Sequence, residues 1–180
     1  DRMIEIYEAL ADYGYRKVGQ EYLQNVLNTA KQLDSYDSGR IYYYLGDYQK
    51  AYLALEEAKG KGGVDSYLYL GKAYAATGDY NYASSVYSNY LSKQGPDAEI
   101  YNQLGLCELE KKEYQKALEA FQAGKQVEGN SLMQTLSFNE IVAYEYLQDY
   151  QKAAVLLKAY LQNYPDDQTA IREQQFLSTR

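Results

Sequence analysis

The stretch Tyr67-Leu68-Tyr69-Leu70-Gly71-Lys72-Ala73-Tyr74, followed by Gly78-Asp79-Tyr80 and then by Ala83 and Tyr87, decides how the chain is read. Its parts recur. Gly46-Asp47-Tyr48 repeats the Gly-Asp-Tyr triplet with Ala51 three residues on, and weaker copies stand at Glu113-Tyr114 and Asp149-Tyr150. Taking the Tyr as a phase marker, the successive intervals Tyr48 to Tyr80, Tyr80 to Tyr114 and Tyr114 to Tyr150 are 32, 34 and 36 residues. One supersecondary unit is therefore copied about every 34 residues, the sign of a stacked helical solenoid.

Composition narrows what such an array does. The 180 residues are 46% hydrophobic with a net charge of −7, enough to bury a core without disulfides or metal. An acidic chain lacks the electrostatic footprint of a nucleic-acid or anionic-lipid surface, so neither is an expected partner. No apolar run spans a bilayer and no signal segment is found, so this segment is not expected to insert into a membrane. His is absent, which removes the commonest metal ligand and general acid-base group. Lone Cys107 cannot close an internal disulfide and leaves the redox compartment open. Trp is absent as well, whereas Tyr occurs 24 times against three Phe, so tyrosine carries most of the aromatic packing.

These stretches resemble the tetratricopeptide repeat, in which each unit is two antiparallel helices, A and B, with small or aromatic residues where helices touch. Tyr67 stands where the family often has Trp, Leu70-Gly71 at the small/large pair, and Tyr74 at the next aromatic place. Gly78-Asp79-Tyr80 takes the A-to-B turn, Ala83 and Tyr87 lie on helix B, and Gly95-Pro96 marks the exit. A second copy runs through Tyr101, Leu104-Gly105, Tyr114, Ala117, Phe121 and Gly124, with Lys111-Lys112-Glu113 at its turn. An earlier copy has Gly39, Tyr42, Gly46-Asp47-Tyr48, Ala51, Leu55 and Ala58. A later one has Tyr144, Asp149-Tyr150, Ala153, Leu157, Tyr160 and Pro165, but Glu140-Ile141 replaces Leu-Gly, which predicts a looser contact between its helices. Upstream, a degenerate unit turns near Tyr13-Gly14-Tyr15, with Val18 and Tyr22 on its helix B. Downstream, Pro165-Asp166-Asp167 precedes a polar helix from Gln168 to Thr179 that turns Ala170, Ile171 and Phe176 inward.

The resemblance implies an all-α fold, a right-handed superhelical solenoid of antiparallel helix pairs. It implies one domain, with repeats at 1–31, 32–63, 64–97, 98–133 and 134–167 and a capping helix at 168–180. Close packing is the physical reason for the pattern. Gly39, Gly71 and Gly105 on the A helices, and Ala51, Ala83, Ala117 and Ala153 on the B helices, let paired helices approach. Breaker clusters at Gly60-Lys61-Gly62-Gly63, Lys93-Gln94-Gly95-Pro96 and Glu128-Gly129-Asn130-Ser131 separate the copies.

More than half of the tyrosines, Tyr15 and Tyr22 among them, fall at repeat packing positions. In this family the concave groove is lined instead by helix A residues outside the signature. Carried over residue by residue, these are chiefly Tyr36, Arg40, Tyr43, Tyr44, Tyr69, Lys72, Asn102, Gln103, Asn139 and Tyr146, with Tyr7 beside them. Arg40 and Lys72 share a phase among Tyr36, Tyr43, Tyr44 and Tyr69, a pocket suited to a carboxylate or an aromatic-acidic peptide. The alternative is that Arg40 stacks on its own tyrosines or is neutralised by Asp37 while Lys72 faces water. Tyr69, Gln103 and Asn139 share a second phase, suited to hydrogen-bonding an extended peptide backbone. The carboxylate clamp of chaperone-binding members is missing, because its places read Tyr36 and Arg40, then Tyr69, then Glu99 and Gln103. Chaperone C-termini are therefore not expected ligands.

No catalytic, cofactor or metal site is expected. Gly71-Lys72 lacks the flanking residues of a phosphate loop and sits inside a helix. Glu56-Glu57 and Asp166-Asp167 lack metal-ligand spacing, and Cys107 reads as a small buried hydrophobe with no His to activate it. The expected role is a non-catalytic scaffold holding a protein or peptide partner in the helix A groove. The alternative is a structural spacer or assembly subunit that uses its convex face, where Tyr52 and Tyr82 fall, or its ends. The chain opens at Asp1 without Met, as a segment cut from something longer would. Its Tyr-rich repeats are similar to tetratricopeptide lipoproteins of Gram-positive bacteria, which implies tethering on the outer side of the membrane. A cytoplasmic scaffold is the alternative.

Overall fold

The structure is a computed structural model that describes residues 2–59, 61 and 63–180. Asp1, the expected start of the first repeat, and Gly60 and Gly62 of the first breaker cluster lie outside the described residues. All regular structure among the described residues is helical: α1 (Arg2–Asp12), α2 (Arg16–Thr29), α3 (Ser35–Leu45), α4 (Tyr48–Ala58), α5 (Gly63–Ala76) and α6 (Tyr80–Gln94) are followed by α7 (Ala98–Glu110), α8 (Tyr114–Lys125), α9 (Met133–Tyr146), α10 (Tyr150–Asn163) and α11 (Gln168–Leu177). By contact the chain divides into two compact units, Asp1–Val86 and Tyr87–Arg180.

In the first unit α1 packs on α2 and α3 on α4, and α3 also touches α5. One core gathers Ile4, Tyr7, Leu23 and Ile41. The next gathers Ala51, Leu55, Leu70, Ala73 and Val86, with Tyr42, Tyr52, Tyr67 and Tyr74 packed around it. Close approach of A and B helices is visible at Gly39, where an added Cβ would lie 2.5 Å from Leu55 Cγ.

The first hairpin departs from the expected register. Tyr15 and Val18 are 60% and 50% exposed, while Gly19 and Leu23 are buried. The reason lies in the turn, where Gly14 takes the left-handed place of Gly46 and Gly78, so Tyr15 is the N-cap and α2 begins at Arg16. Bulky Tyr7 on helix A fits against Gly19 on helix B, whose added Cβ would sit 2.9 Å from the Tyr7 ring. The equivalent pair is Gly39 with Ala51 in the next hairpin, both small, and Ile141 with Ala153 in α9–α10, where the small residue is again on helix B. Helix B of this unit therefore runs one residue later than the Tyr marker implies.

In the second unit α7 packs on α8, α8 on α9, α9 on α10 and α10 on α11. Its cores centre on Phe121 with Leu136 and on Ile141 with Leu157 and Tyr160. An added Cβ at Gly105 would lie 2.3 Å from Phe121 Cε1. At the Glu140-Ile141 departure the α9–α10 pair is packed less closely than α7–α8, as expected. Glu140 is nonetheless buried and satisfied, accepting from Lys125 Nζ at 2.7 Å and from Gln122 Nε2 at 2.9 Å. Asn130 ties off the longest loop by donating to the carbonyls of Gly124, Lys125 and Val127 and accepting from Leu132 N.

Asp167 caps α11 by accepting from Thr169 N and Ala170 N, and the Tyr160 hydroxyl donates to its other oxygen at 2.6 Å. That phenol hydrogen bond, the largest of several, holds the Asp167 carboxyl below its ordinary range. Ala170 and Leu177 are the buried residues of this helix. Phe176, expected to face inward, is exposed, because the α-helical spacing from Ala170 carries Leu177 and not Phe176 onto the packed side. Arg180 closes over the Phe176 ring at 4.5 Å.

Candidate protein-binding surface

Asp34 caps α3 by accepting from Asp37 N at 2.7 Å. One turn further on, Arg40 Nη2 donates to Asp37 Oδ1 at 2.6 Å, and its guanidinium stands 4.3 Å from the Tyr36 ring centroid and 6.0 Å from that of Tyr69. Only 4% of Arg40 is exposed. This is the second of the two sequence readings. The cation is held inward by Asp37 and tyrosine faces, so it braces Tyr36 and does not stand open to an anion. Burial pushes the Tyr36 hydroxyl up to about 12 against the opposing pull of Arg40. Lys72 sits on α5 one turn beyond Tyr69 and is half-buried.

The tyrosines of α3 and α5 form one cluster. Tyr43 meets both Tyr44 and Tyr69 edge to face, with ring centroids 5.4 and 5.6 Å apart, and Tyr44 meets Tyr69 at 5.9 Å. Such edge-to-face contacts stabilise by about 0.5–1.5 kcal/mol each beyond area burial. Tyr7 on α1 joins at 4.8 Å from Tyr44. The hydroxyls are linked as well: Tyr44 donates to Glu8 Oε1 at 2.5 Å and lies 2.9 Å from the Tyr69 hydroxyl. Burial, and then the Glu8 hydrogen bond, raises the Tyr44 pKa, and burial alone leads the rise at Tyr43 and Tyr69. All three are phenols at neutral pH.

In the second unit Asn139 Nδ2 on α9 donates to Asn102 Oδ1 on α7 at 2.8 Å, with Asn102 buried. Gln103 turns to Glu99 on its own helix at 2.9 Å. Tyr146 is 54% exposed and stacks on Tyr114 with centroids 4.9 Å apart. Tyr69, Gln103 and Asn139 are thus each already engaged within the chain. An Asn side chain has two donors and an acceptor with two lone pairs, so Asn139 keeps capacity beyond its one bond.

Sequence reasoning missed Glu8. The signal was present, since Gly14, Gly46 and Gly78 are spaced by 32 and put Glu8 in phase with Arg40 and Lys72. It also missed Glu145 on α9, whose carboxyl is pushed up to about 7 by burial and by Glu173 on α11. Cys107 is buried and its thiol is raised to about 12, chiefly by burial. Among the described residues no three His, Cys, Asp or Glu gather as metal ligands, and no helix is long and apolar enough to cross a membrane.

Residues 138–167 match the family model described as tetratricopeptide repeat, and residues 65–151 match one described as "Protein of unknown function (DUF1347)". The crystal structure of TTC0263, a thermophilic tetratricopeptide repeat protein of Thermus thermophilus, superposes with a TM-score of 0.75 over 99% of this chain and 98% of that one, at 16% identity. The chain has the fold of tetratricopeptide repeat proteins. The repeat protein YrrB, described as having an unusual peptide-binding site, is similar with a TM-score of 0.66 at 19% identity, over 96% of this chain and 90% of that one. The second repeat domain of human RPAP3, solved by NMR with the HSP70 peptide SGPTIEEVD, gives 0.55 at 16% identity over 61% of this chain and 90% of that one. No curated protein matches by sequence.

Proposed function

We propose that the chain is a non-catalytic scaffold whose repeats hold a protein or peptide partner on the helix A surfaces. In the first unit that surface comprises Tyr36, Tyr43, Tyr44 and Tyr69, braced by Arg40 and bordered by Lys72. In the second it comprises Asn102, Gln103, Asn139 and Tyr146. The observation that carries this reading is the tyrosine cluster of α3 and α5, whose half-buried rings are held by one another and whose Tyr44 and Tyr69 hydroxyls are already ordered. Tyrosine of this kind binds at low entropic cost, since little freedom is left to lose. Two relatives of the same fold, YrrB and the RPAP3 domain, are described with peptide sites or peptides. Absence of His and burial of Cys107 support a role without catalysis. The repeat boundaries given above are the units on which we propose that binding is organised.

The test is retention of the full chain on arrayed short peptides. Retention that drops on Tyr43→Leu with Tyr69→Leu, at unchanged helical circular dichroism, supports the reading. Retention indifferent to both overturns it.

A second reading, a structural subunit that assembles through helix B, has one observation of its own. Tyr52 stacks on Tyr74 with centroids 4.6 Å apart and planes 9° apart, and Tyr74 meets Tyr82 at 4.3 Å. Tyr82 is 44% exposed, and Leu53, next to Tyr52 in sequence, is 62% exposed. Loss of self-association on Leu53→Ser with Tyr82→Ser would favour it.

A further inference from the structure

A cleft of about 310 Å³ opens where α1 and α3 end, beside the tyrosine cluster. Its walls are Tyr7 and Tyr44, whose rings meet at 4.8 Å, and Tyr43, whose ring stands 5.4 Å from Tyr44 and 5.8 Å from Tyr48. Glu8 and Asp12, both exposed, complete the lining from α1. An aromatic ring carries negative charge on its face, so a box of rings with carboxylates attracts a cation and disfavours an anion. The backbone adds to this. Glu8 and Asp12 lie near the C-terminal end of α1, Tyr43 and Tyr44 in the last turn of α3, and neither last turn contains a basic residue. The negative ends of two helix dipoles therefore face this region, offset in part by the start of α2 at Arg16, which has no side-chain cap. Asp47 already caps the positive end of α4 beneath Tyr48, accepting from Lys50 N.

We propose that this cleft is a subsite for the basic side chain, lysine or arginine, of a bound peptide. The inference rests on the scaffold reading and reverses the charge expected from the sequence. Arg40, the cation that suggested an acidic ligand, is internally paired with Asp37, whereas Glu8 and Asp12 line the cleft from exposed positions, Glu8 with one oxygen on the Tyr44 hydroxyl. Arg16 also lines the cleft, from the start of α2. It is exposed, and two carboxylates outweigh it. A ligand cation competes with it for them.

The experiment is an NMR titration of the full chain, with tyrosine rings labelled, using N-acetyl-lysine methylamide. Its neutral isostere N-acetyl-norleucine methylamide and the acidic peptide SGPTIEEVD serve as controls. The lysine probe is expected to shift Tyr43, Tyr44 and Tyr48 resonances. Glu8→Gln with Asp12→Asn, both at exposed positions, should weaken it about fivefold, and Arg16→Gln should strengthen it about twofold. Equal binding of the norleucine compound, preference for the acidic peptide, shifts confined to other tyrosines, or no effect of the double substitution overturns the subsite. Screening the same proteins on arrayed peptides separates the two claims. Peptides retained without basic preference, and equally by the double variant, sink the subsite and leave the scaffold standing. If no peptide is retained the scaffold reading falls, and the small-probe titration alone decides the cleft.

Discussion

Below the Arg40 guanidinium lies the Tyr36 ring, and beside it Asp37, a carboxylate whose side chain keeps 35% of its surface in water. Removing the cation therefore leaves Asp37 solvated, and the loss falls mainly on packing against tyrosine. Arg40→Met, which retains the stem, is expected to cost about 1 kcal/mol, and Arg40→Ala about 2–3 kcal/mol, by urea denaturation followed by circular dichroism. Equal costs would show that charge and not packing is what matters there. Glu145 makes a different demand. Burial first, and then the Glu173 carboxylate, raise its pKa in the fold from 4.5 to about 7, so the native state holds more protons than the unfolded chain between those values. Stability from this group is thus present at acid pH and is lost as pH rises from about 4.5 through about 7. Melting temperatures of the wild type should fall across that interval relative to those of Glu145→Gln, with the difference complete by pH 8. Parallel melting curves for the two proteins would contradict this.

Turns carry the next set of consequences. Gly14, Gly46 and Gly78 take φ values of 84°, 81° and 84° at the A-to-B turns of the first three hairpins, and Lys112 and Gln148 take 63° and 62° at the corresponding turns that lack glycine. The left-handed turn thus persists where the residue is unsuited to it. Replacing Lys112 or Gln148 with Gly is expected to stabilise by about 0.5–1 kcal/mol, after the entropy that glycine adds to the unfolded chain. Thermal melting measures it, and a lower midpoint would refute it. Conversely, Gly105→Ala drives a methyl into Phe121, where 2.3 Å separates the would-be Cβ from Cε1. A cost of about 1–3 kcal/mol is expected in denaturant unfolding. These elements were readable because glycine and alanine recur in phase with the large residues they face. The first hairpin's register was not, since Tyr15 directly follows the turn glycine Gly14, where Tyr48 stands two residues after Gly46, and the marker falls one residue early. Phe176 misled for a similar reason: composition says that a Phe packs, while helical phase against Ala170 hands the place to Leu177.

Across the whole chain, helices touch mainly their sequence neighbours within each compact unit, so disturbance is expected to spread locally. Gly39→Ala should raise amide hydrogen exchange in α3, α4 and adjoining α5 while α9 and α10 keep their protection, as read by mass spectrometry; uniform loss would indicate all-or-none coupling. Which tyrosines of α3 and α5 gather on one helix A face was legible from repeat phase, because phase fixes the helix face. What each hydroxyl or amide does was not, because hydrogen bonds such as Tyr44 to Glu8 and Asn139 to Asn102 join residues 36 and 37 positions apart and depend on rotamers that no local pattern encodes. One of these bonds fixes a polarity. A phenol has a single hydrogen to give, and Tyr44 gives its own to Glu8, so Tyr69 must point its hydrogen back at Tyr44. A visitor arriving at the outer side of Tyr69 therefore meets lone pairs, and a side chain two hairpins away has chosen what that visitor must bring.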